Sequence, residues 1–176
     1  MMDWTKSVVE MIRIKQVLQD LDTRHLWEYH PPKVAATEEE LLAVETWLGE
    51  PLDPEYRSFL RCAGGWPGFY QSVDLFGPSD FMDGPRFRQA LALLSLIEDT
   101  VLVEGGLTRE DLLPIAATPI DVDLFVMAQR STSCPGTVIW LAGREIDRFP
   151  NFREYFLAMM DYNRQEGQEL REAASV

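Results

Sequence analysis

The order of apolar periods along the chain predicts an α+β fold, with a central antiparallel sheet and helices packed at its N- and C-terminal ends. Three observations carry this expectation. Helical periodicity dominates the first third, short β-rich runs separated by turn residues dominate the second half, and a helix closes the chain. Helix and strand do not alternate as they would in a parallel βαβ sheet. With 176 residues and nine Phe, five Trp and five Tyr, the chain has enough apolar area to form one core.

Trp4, Val8, Met11, Ile12, Val17, Leu18 and Leu21 recur mostly at three- and four-residue steps, which predicts an amphipathic helix. Leu26, Trp27 and Tyr29 can extend it before Pro31-Pro32 stops it. Residues 1–32 are therefore expected as a helical extension, residues 33–162 as the main domain and 163–176 as a polar tail. Thr37-Glu38-Glu39-Glu40 matches a capping box. Leu41, Val44 and Leu48 form the stripe of the helix it opens, and Gly49 ends it. Asp53-Pro54 starts a second helix with a cap and a proline at its first position, and Gly64-Gly65 terminates it.

Beyond that point the period shortens. Ser72–Phe76 alternates and meets Gly77-Pro78, predicting a strand and a turn. Pro85 opens a helix through Ile97, and Thr100–Val103 reads as a short strand or the exit of that helix. Thr108–Leu112 is one helical turn. Leu113–Ala117 and Asp121–Ala128 are expected strands on either side of Thr118-Pro119, followed by strands at Thr137–Ala142 and Glu145–Phe149. Asn151 caps a last helix whose buried face is Phe152, Tyr155, Phe156, Met159 and Met160.

Charge is the unusual property. Lys+Arg 16 against Asp+Glu 29 leaves −13. Ala36–Ala63 carries −5 of it and Gly64–Ala128 carries −7. Such a chain is repelled by phosphate backbones and anionic membranes, so nucleic acid and membrane are not expected partners. Solubility alone accounts for many acidic proteins; a cationic protein partner is the sharper reading. The two cysteines, Cys62 and Cys134, form neither a disulfide framework nor a zinc motif, and the N-terminus has no secretory pattern, so a cytoplasmic location is expected.

Candidate chemistry is sparse. Asp121 and Asp123 fall on one face of an expected strand, where paired carboxylates can hold a metal or do acid/base work. A solvated strand face is the plainer reading. His25 and His30 have no zinc or triad spacing, and Gly64-Gly65-Trp66-Pro67-Gly68 lacks the lysine of a phosphate-binding loop. Trp66, Phe69 and Tyr70 are core residues or an exposed aromatic anchor, with core the commoner state. Residue types and spacing thus give no catalytic group, metal or cofactor.

One stretch resembles a known family. Glu45, Leu48, Gly49, Leu52, Tyr56, Phe59 and Leu60 follow the helix-pair pattern xxE-xxL-G-xx-LP-xxY-xx-FL of the SUKH superfamily. A Gly64-Gly65 corner and the strand Val73-Asp74-Leu75-Phe76-Gly77 come next, as in its members. Leu113–Ala116, Thr137–Leu141 and Phe152–Phe156 are similar to its later strands and closing helix. The sequence departs from the pattern at Asp53-Pro54 and at Thr118-Pro119-Ile120-Asp121, where a Gly-rich segment is usual. The superfamily includes the fungal cell-wall assembly regulator and many bacterial immunity proteins. The resemblance implies binding rather than catalysis. It points to an immunity protein that neutralises a toxin, a nuclease or deaminase, by stoichiometric binding, or alternatively to a regulatory or scaffold module of the same fold. On this reading the expected partner-binding residues are Trp66, Tyr70, Asp74, Asp80, Asp83, Glu104, Asp121 and Asp123. A metal-dependent hydrolase using Asp121 and Asp123 is the competing enzymatic reading.

Overall fold

The computed structural model describes residues 1–175. Its elements in chain order are helix α1 (Trp4–Leu21), α2 (Glu38–Leu48), α3 (Pro54–Leu60), strands β1 (Trp66–Tyr70) and β2 (Val73–Leu75), α4 (Pro85–Leu96), α5 (Asp99–Glu104), a 3-10 turn (Arg109–Asp111), β3 (Leu112–Ala117), β4 (Leu124–Ala128), β5 (Val138–Leu141), β6 (Glu145–Phe149) and α6 (Phe152–Ala174). The strands form one six-stranded sheet in sequence order, every neighbouring pair antiparallel. The α+β architecture is as expected.

Local chemistry sets the helix boundaries. The Thr37 side chain accepts from the Glu40 amide at 3.2 Å, while the Glu40 carboxylate accepts from the Thr37 amide at 2.8 Å. Asp53 accepts from the amides of Glu55 and Tyr56, and Asn151 accepts from that of Glu154. Each such cap satisfies amides that the first helical turn leaves without partners.

Both faces of the sheet are covered. α4 packs on β3 and β4 from one side, and α6 contacts β1 and β6 from the other. This is why β3 and β4 are buried at every position and show no alternation. Phe69 of β1 and Phe125 of β4 both approach Tyr155 of α6, with ring centroids 6.1 and 5.2 Å away. Tyr70 on β1 and Trp140 on β5 are four strand spacings apart, about 19 Å in a flat sheet. Their rings lie at 5.9 Å, so the sheet curls around α6.

Several expectations need correction. Trp66–Tyr70 is a strand, disguised by Pro67 and Gly68; β1 is the first strand of the sheet, where a missing amide donor is tolerated. Thr100–Val103 is helical, within α5, and Leu102 anchors it in the core. Strand β4 starts only at Leu124, because Thr118–Asp123 is a turn closed by the Thr118 amide donating to the Asp123 carbonyl at 3.1 Å. Asp121 and Asp123 therefore do not share a strand face.

The first helix and the polar C-terminal stretch belong together. α1 lies alongside α6 in parallel: Trp4 packs 5.5 Å from Phe152 and 5.3 Å from Phe156, and Leu18 and Leu21 flank Gly167. Asn163 and Gly167 are buried, so the polar stretch after Tyr162 continues the helix and packs one face on α1, with its remaining faces exposed. Lys15 is buried in this seam, donating to Asn163 Oδ1 at 3.2 Å with its ammonium 5.4 Å from the Tyr29 ring centroid. Burial pushes its pKa down to about 8, against the opposing pull of Glu166.

After α1 the chain does not continue as helix. Buried Asp22 accepts from the amides of Leu26 and Trp27 and from the Tyr29 hydroxyl. Burial favours the neutral acid, yet these donors hold its carboxyl below the usual range. The chain then descends as an extended strap beside β1. Trp66 Nε1 donates to the His30 carbonyl at 2.9 Å, and the Lys33 amide donates to the Gly65 carbonyl at 2.9 Å.

Candidate interaction surface

A meander of six strands places three hairpin turns at one end: Gln71–Ser72, Thr118–Asp123 and Ala142–Arg144. The upper part of α6 reaches the same end. Glu166 accepts from Gln71 Nε2, and the Tyr70 hydroxyl donates to it at 3.4 Å. Ser72 and Thr118 hydroxyls share a hydrogen bond of 2.8 Å that ties two of the turns together. The Trp140 indole donates to Asp123 at 2.7 Å, and the Tyr162 hydroxyl donates to Asp147 at 3.3 Å. The Tyr162 ring stands 5.7 Å from both Tyr70 and Trp140.

The result is an aromatic layer rimmed by carboxylates. Ile120 and Val122, 82% and 55% exposed, project from the turn between β3 and β4 beside Asp121. Burial raises the Asp123 carboxyl; the Trp140 hydrogen bond opposes that shift and neighbouring Asp121 adds to it. Burial and nearby Glu166 hold the Tyr70 hydroxyl well above the ordinary range, so it stays a neutral donor.

The eight residues expected at an interface do not form one patch. Trp66 is fully buried and its N–H holds the strap, which removes it as an anchor. Tyr70 is buried too, with its ring between Trp140 and Tyr162. Asp74 accepts from the Gly68 amide at 2.8 Å and pairs with Arg86 at 2.9 Å. Asp80 accepts from the Gly77 amide and pairs with Lys33 at 3.0 Å. These two carboxylates have structural partners. Asp83 and Glu104 are exposed on separate elements, the loop before α4 and the end of α5. Asp121 and Asp123 alone lie in the turn at the hairpin end.

What sequence reasoning missed is the contribution from outside Ala36–Ala128. Glu28, Asp147, Tyr162 and Glu166 come from the strap, β6 and α6. The one legible signal was Tyr162 and Glu166 at i, i+4 on a helix face. Nor does the structure assemble a nucleophile. Cys62 lies 3.8 Å from the Thr5 hydroxyl, and His30 pairs with Glu28. Among the described residues no three His, Cys, Asp or Glu side chains are placed to hold a metal ion. Among them, too, no helix is long and apolar enough to cross a membrane.

Fold and surface together define an α+β domain with carboxylates and half-buried aromatic side chains gathered at one end of its sheet. The chain belongs to the SMI1 / KNR4 family (SUKH-1), whose model matches residues 35–158. Immunity and regulatory proteins, generally non-catalytic, make up that family. Among solved structures, the chain is similar to a crystal structure of a protein from Pseudomonas syringae pv. tomato. The two are 18% identical, with 80% of this chain and 92% of that one covered and a TM-score of 0.47. A comparison with curated proteins gives no match.

Proposed function

We propose that the protein is a cytoplasmic, non-catalytic immunity protein that masks a cognate bacterial toxin, a nuclease or deaminase, in a stoichiometric complex. The observation that supports this reading best is the hairpin end. There, carboxylates from distant parts of the chain meet exposed Ile120 and Val122 and half-buried Trp140 and Tyr162. A toxin that grips phosphates presents a basic surface, and an acidic inhibitor with apolar contacts complements it. The net charge of −13 also speeds encounter with such a partner.

The test is co-expression with the toxin domain encoded beside this gene. Protection of the cells, a one-to-one complex and an association rate that falls as salt rises support the reading. Cells that die despite ample expression overturn it. Co-purification with a host protein in a strain without any such toxin favours the regulatory module instead.

A further inference from the structure

A cleft of ≈ 600 Å³ opens between the strap and the turns at the hairpin end. Trp27 and Glu28 line it from the strap, Gln71 and Asp74 from the β1–β2 hairpin, and Ile120 and Asp121 from the turn before β4. Its lining combines an indole, an exposed aliphatic side chain and three carboxylates. Arg86 reaches in from the start of α4 and pairs with Asp74, so the cleft already accommodates one guanidinium. Among the described residues, the Glu28 carboxylate meets only the His30 ring, at 3.2 Å, and Asp121 accepts only from its neighbour Val122's amide. Glu28 and Asp121, both exposed, thus stand at the rim of the cleft with no arginine or lysine paired to them among the described residues.

The walls are also held in a conformation that ordinary side chains avoid. Among the described residues, three non-glycine residues have positive φ; two of them, His25 at 53° and Gln71 at 50°, line this cleft from opposite sides. Such backbone is unfavourable by about 1 kcal/mol or more and persists where surrounding contacts fix it. Here the contacts are the Asp22 hydrogen bonds on the strap side and the Gln71–Glu166 hydrogen bond on the other.

We propose that this cleft receives an arginine side chain from a basic loop of the partner, its guanidinium between Glu28 and Asp121 and its stem against Trp27 and Ile120. The proposal rests on the binding reading above and names what that surface grips. Arginine fits better than lysine because its flat cation stacks on an indole while donating to carboxylates on either side. Charge complementarity selects the occupant: an acidic loop would meet like charge at Glu28, Asp74 and Asp121, and a neutral one would gain nothing from them.

The experiment uses the full chain, isotopically labelled, titrated with acetyl-Gly-Arg-Gly-amide and followed by NMR. The expected result is saturable shifts of the Trp27 indole and the Gln71 and Asp121 amides, with millimolar affinity. The same peptide with citrulline for arginine is expected to leave them in place. Glu28→Gln with Asp121→Asn is expected to weaken binding at least fivefold, whereas Asp83→Asn, on another loop, leaves it unchanged. Equal shifts with citrulline, shifts spread over Asp83 and Glu104, or none up to about 50 mM peptide overturn the proposal. Loss of this arginine site does not touch the toxin reading, which the protection assay tests independently. Protection with a silent cleft would place docking elsewhere on the surface.

Discussion

The two ends of the sheet use acidic residues in opposite ways. At the end opposite the hairpin turns, α3 packs beside the start of α6 and is joined to α2 through Arg57, and most of the carboxylates there are tied to the fold. Glu38 and Glu45 both pair with Arg57, Asp53 caps α3, Glu55 accepts from the Arg153 amide, and Asp80 joins Gly77 to Lys33. At the hairpin end, Glu28 and Asp121 have no arginine or lysine partner, and Asp123 and Glu166 are held by neutral donors. Net charge therefore says little about where a protein binds. What distinguishes the ends is what holds their partnered carboxylates: caps and arginine or lysine pairs at one and, Asp74 apart, neutral donors at the other.

The sharpest way to break the tied end is Gly77→Ala. A Cβ there would stand 1.8 Å from the Gly64 carbonyl oxygen, where two backbones cross. Neither backbone can yield without opening the Gly64-Gly65 corner. A loss of about 3 kcal/mol or more is expected from urea unfolding, with an unfolded chain as the extreme. Asp80→Ala is next. It strips the Gly77 amide of its acceptor and Lys33 of its counter-ion, and should lower stability by about 1–2 kcal/mol in the same urea titration.

Lys15 tests the seam that carries α6 up to the hairpin end. Its folded pKa of about 8 lies below the ordinary lysine value of 10.5. Between those values the unfolded chain binds more protons, so stability should rise as pH climbs from about 8 towards 10.5. Below pH 8 the burial penalty is present in full. Lys15→Met should flatten that slope and gain about 1 kcal/mol at neutral pH, read from melts at stepped pH. Flat wild-type stability across this window would remove Lys15 as a cause.

Gly167→Ala is expected to stabilise by about 0.5–1 kcal/mol. The new Cβ meets Leu21 Cδ1 at 3.5 Å, ordinary contact, and a helical glycine is replaced. Smallest of all, Asp121→Ala should change stability by no more than about 0.5 kcal/mol yet slow association with a basic partner. If Asp121→Ala destabilises as much as Asp80→Ala, the contrast between the two ends fails.

The tied end was largely legible in the sequence, because its features are local. Thr37 and Glu40, Asp53 and Pro54, and Asn151 and Glu154 lie within a few residues of each other, so spacing alone announces the caps. The hairpin end was not. Its carboxylates come from positions 28, 121, 123, 147 and 166, and only the curl of the sheet around α6 brings them together. Charge counting pointed to Ala36–Ala128, where Asp74 and Asp80 have structural partners. Strand β1 was hidden by Pro67 and Gly68, residues that punish a central strand but not an edge. The buried part of α6 beyond Tyr162 was hidden by its polarity, since Asn163 and Gly167 carry no apolar signal. Trp66 illustrates the remaining ambiguity: an indole serves a core and an interface equally well until its neighbours are known.

The parallel pairing of α1 with α6 ties synthesis to closure. α1 leaves the ribosome well before the α6 on which it packs, with Lys15 and Asn163 separated by 148 residues. At usual elongation rates, the apolar stripe of α1 waits roughly ten to thirty seconds for its partner. Throughout that interval the strap can already bind Trp66 and Gly65 of the emerging chain, but Lys15 lacks Asn163 and Gln71 lacks Glu166. Until α6 emerges, the growing chain thus keeps the apolar stripe of α1 exposed, and the aromatic layer at the hairpin end lacks Tyr162.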